Sequence, residues 1–149
     1  MTDSGEFKIR PAEALDVDGI MELEKGSIAH PWQREEISKL ITEDNKFALV
    51  TDKDGHVVCY IGCDIVLDEA DIGNLVTDVN ERGKGLATML MSELLERLKD
   101  KGVKKVFLEV ESTNLPAIRV YEKCGFARSG LRKAYYGEGR DAILMDCEI

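Results

Sequence analysis

The spacing of apolar positions changes several times along these 149 residues, and each change marks an element. Phe7-Lys8-Ile9-Arg10 alternates apolar and polar, which predicts a short strand. Asp16 stands as an N-cap before a helical stretch carrying Ile20, Met21, Leu23 and Glu24. His30-Pro31-Trp32 breaks that helix, and 34–41 predicts a second with Ile37, Leu40 and Ile41 on one face. A strand over 47–50 meets Asp54-Gly55, a two-residue hairpin signal, and 57–67 returns as a long antiparallel strand. Asp68-Glu69-Ala70-Asp71 turns into a fourth strand over 72–79, completing a four-stranded meander.

The second half has a different rhythm. After the glycine-bearing stretch 80–85, Leu86, Met89, Leu90, Leu94, Leu95 and Leu98 recur at helical spacing and give a wide apolar face. Lys99-Asp100-Lys101-Gly102 ends this helix, with cations in the last turn and glycine at the stop. A strand follows over 104–110 with Val106, Phe107 and Leu108 at its apolar centre. Asn114 caps a short helix running to Lys123, Pro116 being tolerated only in the first turn, and Gly125-Phe126 closes it. Two strands, 127–135 and 142–147, complete the order strand, two helices, three strands, helix, strand, helix, two strands. That order predicts a single α/β domain over 1–149, with a core over about 7–147 and helices on both faces of a mixed sheet.

Composition narrows the function. With 44% hydrophobic and 33% charged residues, the chain can bury a core without a disulfide or a metal. A formal charge of −9, from 29 acidic and 20 basic residues, argues against nucleic acid as a partner. It suits a basic peptide or an amine, and it also keeps a cytosolic chain soluble. Cys59, Cys63, Cys124 and Cys147 form no CxxC pair, and His30 and His56 lie far from them, so no zinc site is expected. Cys124 has no neighbouring histidine and reads as a small apolar residue rather than a nucleophile. The polar start, Met-Thr-Asp-Ser-Gly-Glu, and the lack of an apolar run of about 20 residues predict neither signal peptide nor membrane span, hence a cytoplasmic protein.

The strongest local feature is Arg82-Gly83-Lys84-Gly85-Leu86-Ala87, between a strand and a helix. A helix start leaves backbone N–H groups unpaired and partly positive, and glycines let a phosphate come close. Alone, such a turn also serves purely structural ends. It is not a GxxxxGK[ST] loop, and a dinucleotide GxGxxG would need glycine where Thr88 stands.

Here the sequence resembles a known family. Arg82-x-x-Gly85-x-Ala87 matches the [QR]xxGx[GA] motif of the GNAT N-acetyltransferases. Leu108-Glu109-Val110, Ser112-x-Asn114 and Tyr121-Glu122-Lys123-Cys124-Gly125-Phe126 are similar to a further block of that family. Arg132-Lys133-x-Tyr135-Tyr136, Asp141-Ala142-x-Leu144-Met145, His30-Pro31-Trp32 and Val66-Leu67-Asp68-Glu69-Ala70 resemble its ribosomal-protein-alanine N-acetyltransferase (RimI-type) branch. The resemblance runs from about residue 7 to 147.

The resemblance implies a largely antiparallel seven-stranded sheet whose fourth and fifth strands splay to hold acetyl-CoA, with no metal. The backbone near Arg82, Gly83, Gly85 and Ala87 would hold the pyrophosphate, with Lys84 and Thr88 adding contacts. Leu75, Val76 and Thr77 would pair with the pantetheine arm, the Val76 N–H being the expected oxyanion donor, and Asn114 would hydrogen-bond the same arm. Glu109 is implied as the general base, acting directly or through water, and Tyr121 as the acid for the thiolate, in a direct attack without a covalent enzyme intermediate. Tyr135, Tyr136 and Trp32 would line the acceptor slot. Without the resemblance, Glu109 also reads as a solvated strand-end carboxylate, and Tyr121, Trp32 and the tyrosine pair as packing aromatics.

Three departures stand out. Asp78-Val79-Asn80-Glu81 replaces the usual Pro and aromatic before the motif, Asn74-Leu75-Val76-Thr77 replaces Asn-Ile-Ala-Val, and Ala134 stands where the branch has Asn. The expected acceptor is the N-terminal α-amine of a protein, such as a ribosomal protein. The alternatives are a lysine side chain or small amine, or a non-catalytic acyl-CoA-binding module.

Overall fold

The computed structural model describes residues 6–27 and 31–149. The helix break expected at His30 therefore lies outside the described residues, whereas Pro31 and Trp32 are inside them. The elements are β1 (Phe7–Pro11), α1 (Val17–Ser27), α2 (Arg34–Thr42), β2 (Lys46–Lys53), β3 (His56–Val66), β4 (Glu69–Thr77), α3 (Leu86–Asp100), β5 (Lys105–Glu111), α4 (Leu115–Lys123), β6 (Ala127–Arg132) and β7 (Ala142–Glu148). Short 3-10 turns at Ala14–Asp16 and Val79–Glu81 precede α1 and the glycine loop. The strands form one sheet in the order β1-β2-β3-β4-β5-β7-β6. Every pairing is antiparallel except β4 with β5.

That exception makes the site. β4 and β5 pair only at Glu69↔Lys105, Ala70↔Val106 and Asp71↔Phe107. Beyond Asp71 the strands part: β4 stays with β3, while β5 pairs along its whole length with β7. A register shift opposite Gly62 coincides with the parting. It changes the phase of β4, so that Ala70 and Ile72 face the same core as Leu75, across a two-residue interruption at Gly73 and Asn74.

Two cores lie on opposite faces of the sheet. On one, Leu86, Leu90, Met91, Leu94 and Leu98 of α3 and Ile118 and Tyr121 of α4 pack on Leu49, Cys59, Ile61, Val106, Leu108 and Met145. On the other, Val17, Ile20 and Leu23 of α1 and Ile37 and Leu40 of α2 pack on Ala48, Val50, Tyr60 and Val76. The strict alternation of β5 buries Val106, Leu108 and Val110 in the first core and puts Glu109 and Glu111 on the second face.

Several boundaries differ from expectation. Asp16 does not cap α1; its carboxylate reaches back to the Glu13 N–H (2.7 Å) and pairs with Arg10 (2.8 Å). Met89 is exposed rather than on the apolar face of α3. β3 ends at Val66, and Leu67 turns at φ +56, so β4 starts at Glu69 and ends at Thr77 instead of spanning 72–79. β6 stops at Arg132, which leaves Tyr135 and Tyr136 on a turn rather than a strand.

Candidate active site

On one side of the parted strands lies the glycine loop. Gly83 (φ +81) and Gly85 (φ +78) both adopt the left-handed conformation, and a Cβ at either position would meet no atom within 4 Å. Glycine is thus required by backbone geometry, and the space above it is open. Gly85 precedes α3 without a side-chain cap, and the first helical bond is Met89 N–H to Gly85 C=O (3.0 Å). The N–H groups of Leu86, Ala87 and Thr88 therefore have no intrahelical partner and carry the positive end of the helix dipole. Glu81 draws Lys84 (2.6 Å) and Lys53 (3.1 Å) to itself, and these two partners hold its carboxyl below the usual range. Asp78 accepts from the Asn80 N–H (2.8 Å), so the loop keeps a side-chain cap in place of the family's proline. An open, cationic set of backbone donors of this kind fits the pyrophosphate of acetyl-CoA.

The β4 edge adds donors. Asp78 N–H donates to Val58 C=O (2.8 Å), and alternation from that bond makes Val76↔Tyr60 a hydrogen-bonded pair. The Val76 N–H therefore faces β3, not the gap, and its side chain is in the core. The open-edge N–H groups belong to Leu75 and Thr77, which corrects the expectation placed on Val76. Asn114 caps α4 through its Oδ1, accepting from the Ala117 N–H (3.3 Å), which leaves its amide NH₂ for another acceptor.

On the other side is a cavity of 720 Å³ over the second face of the sheet. Glu109 enters it from β5, Trp32 from the approach to α2, Tyr135 and Tyr136 from the β6–β7 turn, and Asp71, Gly73 and Asn74 from β4. Four residues singled out from sequence thus meet in one place, though they span more than 100 positions. Tyr121 and the glycine loop do not line it. Tyr121 is buried in the core on the opposite face, edge-on to Phe126. Burial pushes the Tyr121 phenol up to about 12, with Tyr136 and Cys124 adding to the shift, so it stays protonated at neutral pH.

The two carboxylates of β5 have different surroundings. Glu111 makes a two-pronged ion pair with Arg140 (2.8 and 2.9 Å), which holds its carboxyl below the usual range. Arg140 also donates to Tyr136 C=O (3.4 Å), and its own C=O accepts from the Tyr136 N–H (3.1 Å), fastening the tyrosine turn to β5. Glu109 is held more loosely, with Arg132 3.7 Å away. The nearby Glu109 carboxylate raises the Tyr135 pKa. Glu111 is thus the more tightly paired of the two.

Some site residues escaped the sequence reading. Burial, then Glu109, Asp64 and Glu69, raise the Asp71 pKa, a sign of crowded acidity; Glu36, Glu43 and Asp64 line the same cavity. Glu24, fully buried on α1, accepts from the Trp32 N–H (2.6 Å), the Tyr60 hydroxyl and Asn74 Nδ2 (2.9 Å). Its one sequence signal is a charged residue on the apolar stripe at Ile20 + 4. Burial pushes the Cys59 thiol up to about 11 and Cys63 to about 12, as expected of inert core thiols. Among the described residues no cluster of three His, Cys, Asp or Glu could hold a metal ion, and no helix is long and apolar enough to cross a membrane.

Known proteins resemble this chain over most of its length. The sequence model described as "Acetyltransferase (GNAT) family" matches residues 17–126. A Bacillus subtilis protein provisionally named a [ribosomal protein bS18]-alanine N-acetyltransferase is 36% identical over 140 residues, covering 92% of each chain. The [ribosomal protein bS18]-alanine N-acetyltransferase of Escherichia coli K12 is 31% identical over 144 residues, covering 95% of this chain and 97% of that one. The crystal structure of the Escherichia coli ribosomal-protein-S18-alanine N-acetyltransferase superposes with a TM-score of 0.88 at 27% identity, over 97% of this chain and 94% of that chain.

Proposed function

The chain belongs to the GNAT acetyltransferase family and is an acetyl-CoA-dependent N-acetyltransferase, and from that premise we propose that its acceptor is the N-terminal α-amine of a protein. The names of its relatives point to ribosomal protein bS18 and an N-terminal alanine, hence to action in the cytoplasm. The observation that carries the reading is the convergence of Trp32, Tyr135 and Tyr136 around Glu109 in one cavity where β4 and β5 part.

In this reading the donors of Gly83, Gly85, Leu86, Ala87 and Thr88 hold the pyrophosphate, with Arg82 and Lys84 supplying positive charge. The open-edge N–H groups of Leu75 and Thr77 and the Asn114 amide receive the pantetheine arm. One of the two strand donors polarises the thioester carbonyl. Acetyl-CoA supplies an activated acyl carbon.

The acceptor arrives as an ammonium, attracted by the acidic lining, and must lose a proton before it can attack, since an α-amine has a pKa of about 7.7–8.0. Glu109 takes that proton, directly or through a water. The amine nitrogen then bonds to the acyl carbon, the C–S bond breaks, the Tyr121 phenol protonates the departing thiolate, and the second amine proton leaves through solvent, which returns a proton to the phenolate. Tyr135 and Tyr136 close the slot over the first peptide residues, held by the Arg140–Glu111 pair.

The same acidic lining would admit a lysine side chain or a small polyamine. A thiol-release assay with acetyl-CoA decides between them, using short peptides with free or blocked α-amines, lysine-bearing peptides and polyamines. Turnover of free α-amines, highest for alanine-starting peptides, is the expected outcome. Turnover confined to lysines or polyamines would discard the proposed acceptor.

A further inference from the structure

We propose that Glu24 is a positioning residue that locks the Trp32 wall of the acceptor cavity to Asn74, which lines the same cavity from β4; this rests on the acceptor-slot reading above. Glu24 sits in an otherwise apolar cluster with Ile20, Leu23, Ile37, Leu40 and Val76, and its side chain has no exposure. A polar group placed there is costly unless its hydrogen bonds are made, and here each is directed.

Glu24 Oε1 accepts from the Trp32 backbone N–H at 2.6 Å, and Oε2 accepts from Asn74 Nδ2 at 2.9 Å and from the Tyr60 hydroxyl. Burial and the Glu24 contact raise the Tyr60 pKa, so the phenol remains a donor. Asn74 also lies 3.4 Å from the Tyr60 oxygen, which closes a small triangle. One carboxyl thereby ties α1 to the approach to α2, to β3 and to the centre of β4.

The two arms end on functional parts. Trp32 and Asn74 both line the acceptor cavity. The Trp32 indole lies so close over Gly73 that a Cβ there would sit 3.3 Å from Cη2. Displacing Glu24 frees the Trp32 wall and the β4 interruption at the same time. No part of the glycine loop is touched.

The test has a built-in probe, because Trp32 is the single tryptophan in the chain. Glu24→Leu and Glu24→Gln are compared with the native protein for acceptor KM and kcat, acetyl-CoA Kd by calorimetry, and Trp32 emission. The acceptor is whichever amine class the native protein turns over, so a wrong assignment of the acceptor cannot pass for a failure of Glu24. Glu24→Leu is expected to raise acceptor KM by about tenfold or more, as the loss of a buried hydrogen-bonded anchor implies, with acetyl-CoA Kd within about twofold. Its Trp32 emission should move to the red as the indole loosens into water.

Glu24→Gln keeps an oxygen for the Trp32 N–H, and its NH₂ can donate to Asn74 Oδ1 once the Asn74 amide turns over and to the Tyr60 oxygen, so it should restore most of both signals. Asn74→Ala, which cuts only the β4 arm, should raise acceptor KM with little change in emission. It carries the test with Glu24→Gln if Glu24→Leu does not fold. Unchanged acceptor KM in folded Glu24→Leu and in Asn74→Ala overturns the proposal. So does a rise in acetyl-CoA Kd parallel to acceptor KM, which would mean general loosening.

Discussion

The two sides of the transfer site are made from different parts of the polypeptide. The proposed acetyl-CoA side is chiefly backbone: two left-handed glycines, the first N–H groups of α3 and the open edge of β4. The proposed acceptor side is side chains from several elements and turns, held by hydrogen bonds between them: Trp32 on Glu24, and the tyrosine turn on Glu111 through Arg140. Backbone donors recognise a diphosphate and an amide-bearing arm, which every acetyl-CoA carries. Side chains can be exchanged without disturbing the sheet. The division explains how one fold can keep a donor and change its acceptor.

The comparison is broken most severely at Glu109. Glu109→Gln is expected to lower kcat by about 10²–10⁴, the range for a lost general base, while acetyl-CoA Kd stays unchanged by calorimetry. Glu111→Gln, two residues along the same strand face, should instead raise acceptor KM by loosening the tyrosine turn and leave the slope of the pH–rate profile intact. Equal losses of kcat in both variants would mean that β5 supplies general acidity rather than one base.

Tyr121 has the next largest effect. Tyr121→Phe is expected to lower kcat by about 10–100-fold when chemistry limits the rate. Because the folded phenol is raised to about 12, it stays protonated through the working range. The ratio of native to variant kcat should therefore be flat from about pH 6.5 to 10, while both rates rise as the α-amine, with a pKa near 8, deprotonates. A ratio that collapses toward one by pH 10 would show the phenol titrating early and remove it as the acid.

On the other side of the comparison, Gly85→Val tests the backbone cradle. A β-branched residue at φ +78 costs on the order of 1–2 kcal/mol or more, or shifts the loop. Acetyl-CoA Kd should weaken by about tenfold or more, while acceptor KM at saturating acetyl-CoA stays near native. An unchanged Kd would take the pyrophosphate away from this loop.

The same division governs what could be read from the chain. The order of elements and the glycine loop were legible because each rests on local spacing: the leucines of α3, Asp54-Gly55, and Arg82 to Ala87. Glu109 was legible once the 104–110 segment was read as a strand beside the family's block. The direction of the Val76 amide was not, because it follows from the phase of the β3–β4 ladder. The turn at Leu67 has no glycine or asparagine to announce it, so the sequence pattern places the start of β4 three residues late. The network of Glu24, Tyr60 and Asn74 joins positions up to 50 apart, and nothing near Glu24 in sequence names its partners.

The smallest effect concerns Ala134, where the chain departs from its relatives' branch. Ala134 adopts φ +55, a conformation that favours glycine or asparagine, and its N–H donates to Asp141 Oδ1 at 2.9 Å. The branch's asparagine thus suits the backbone of the turn before it suits any ligand, and alanine here carries local strain beside Tyr135 and Tyr136. Ala134→Asn should relieve it and stabilise the protein by about 0.5 kcal/mol, a rise in Tm of about 1–2 °C for a chain of this size. Acceptor KM should fall slightly and acetyl-CoA Kd should not move, because the relieved turn belongs to the side-chain half alone. A change in acetyl-CoA Kd would mean that strain in the tyrosine turn reaches the glycine loop, and that the two halves are mechanically one.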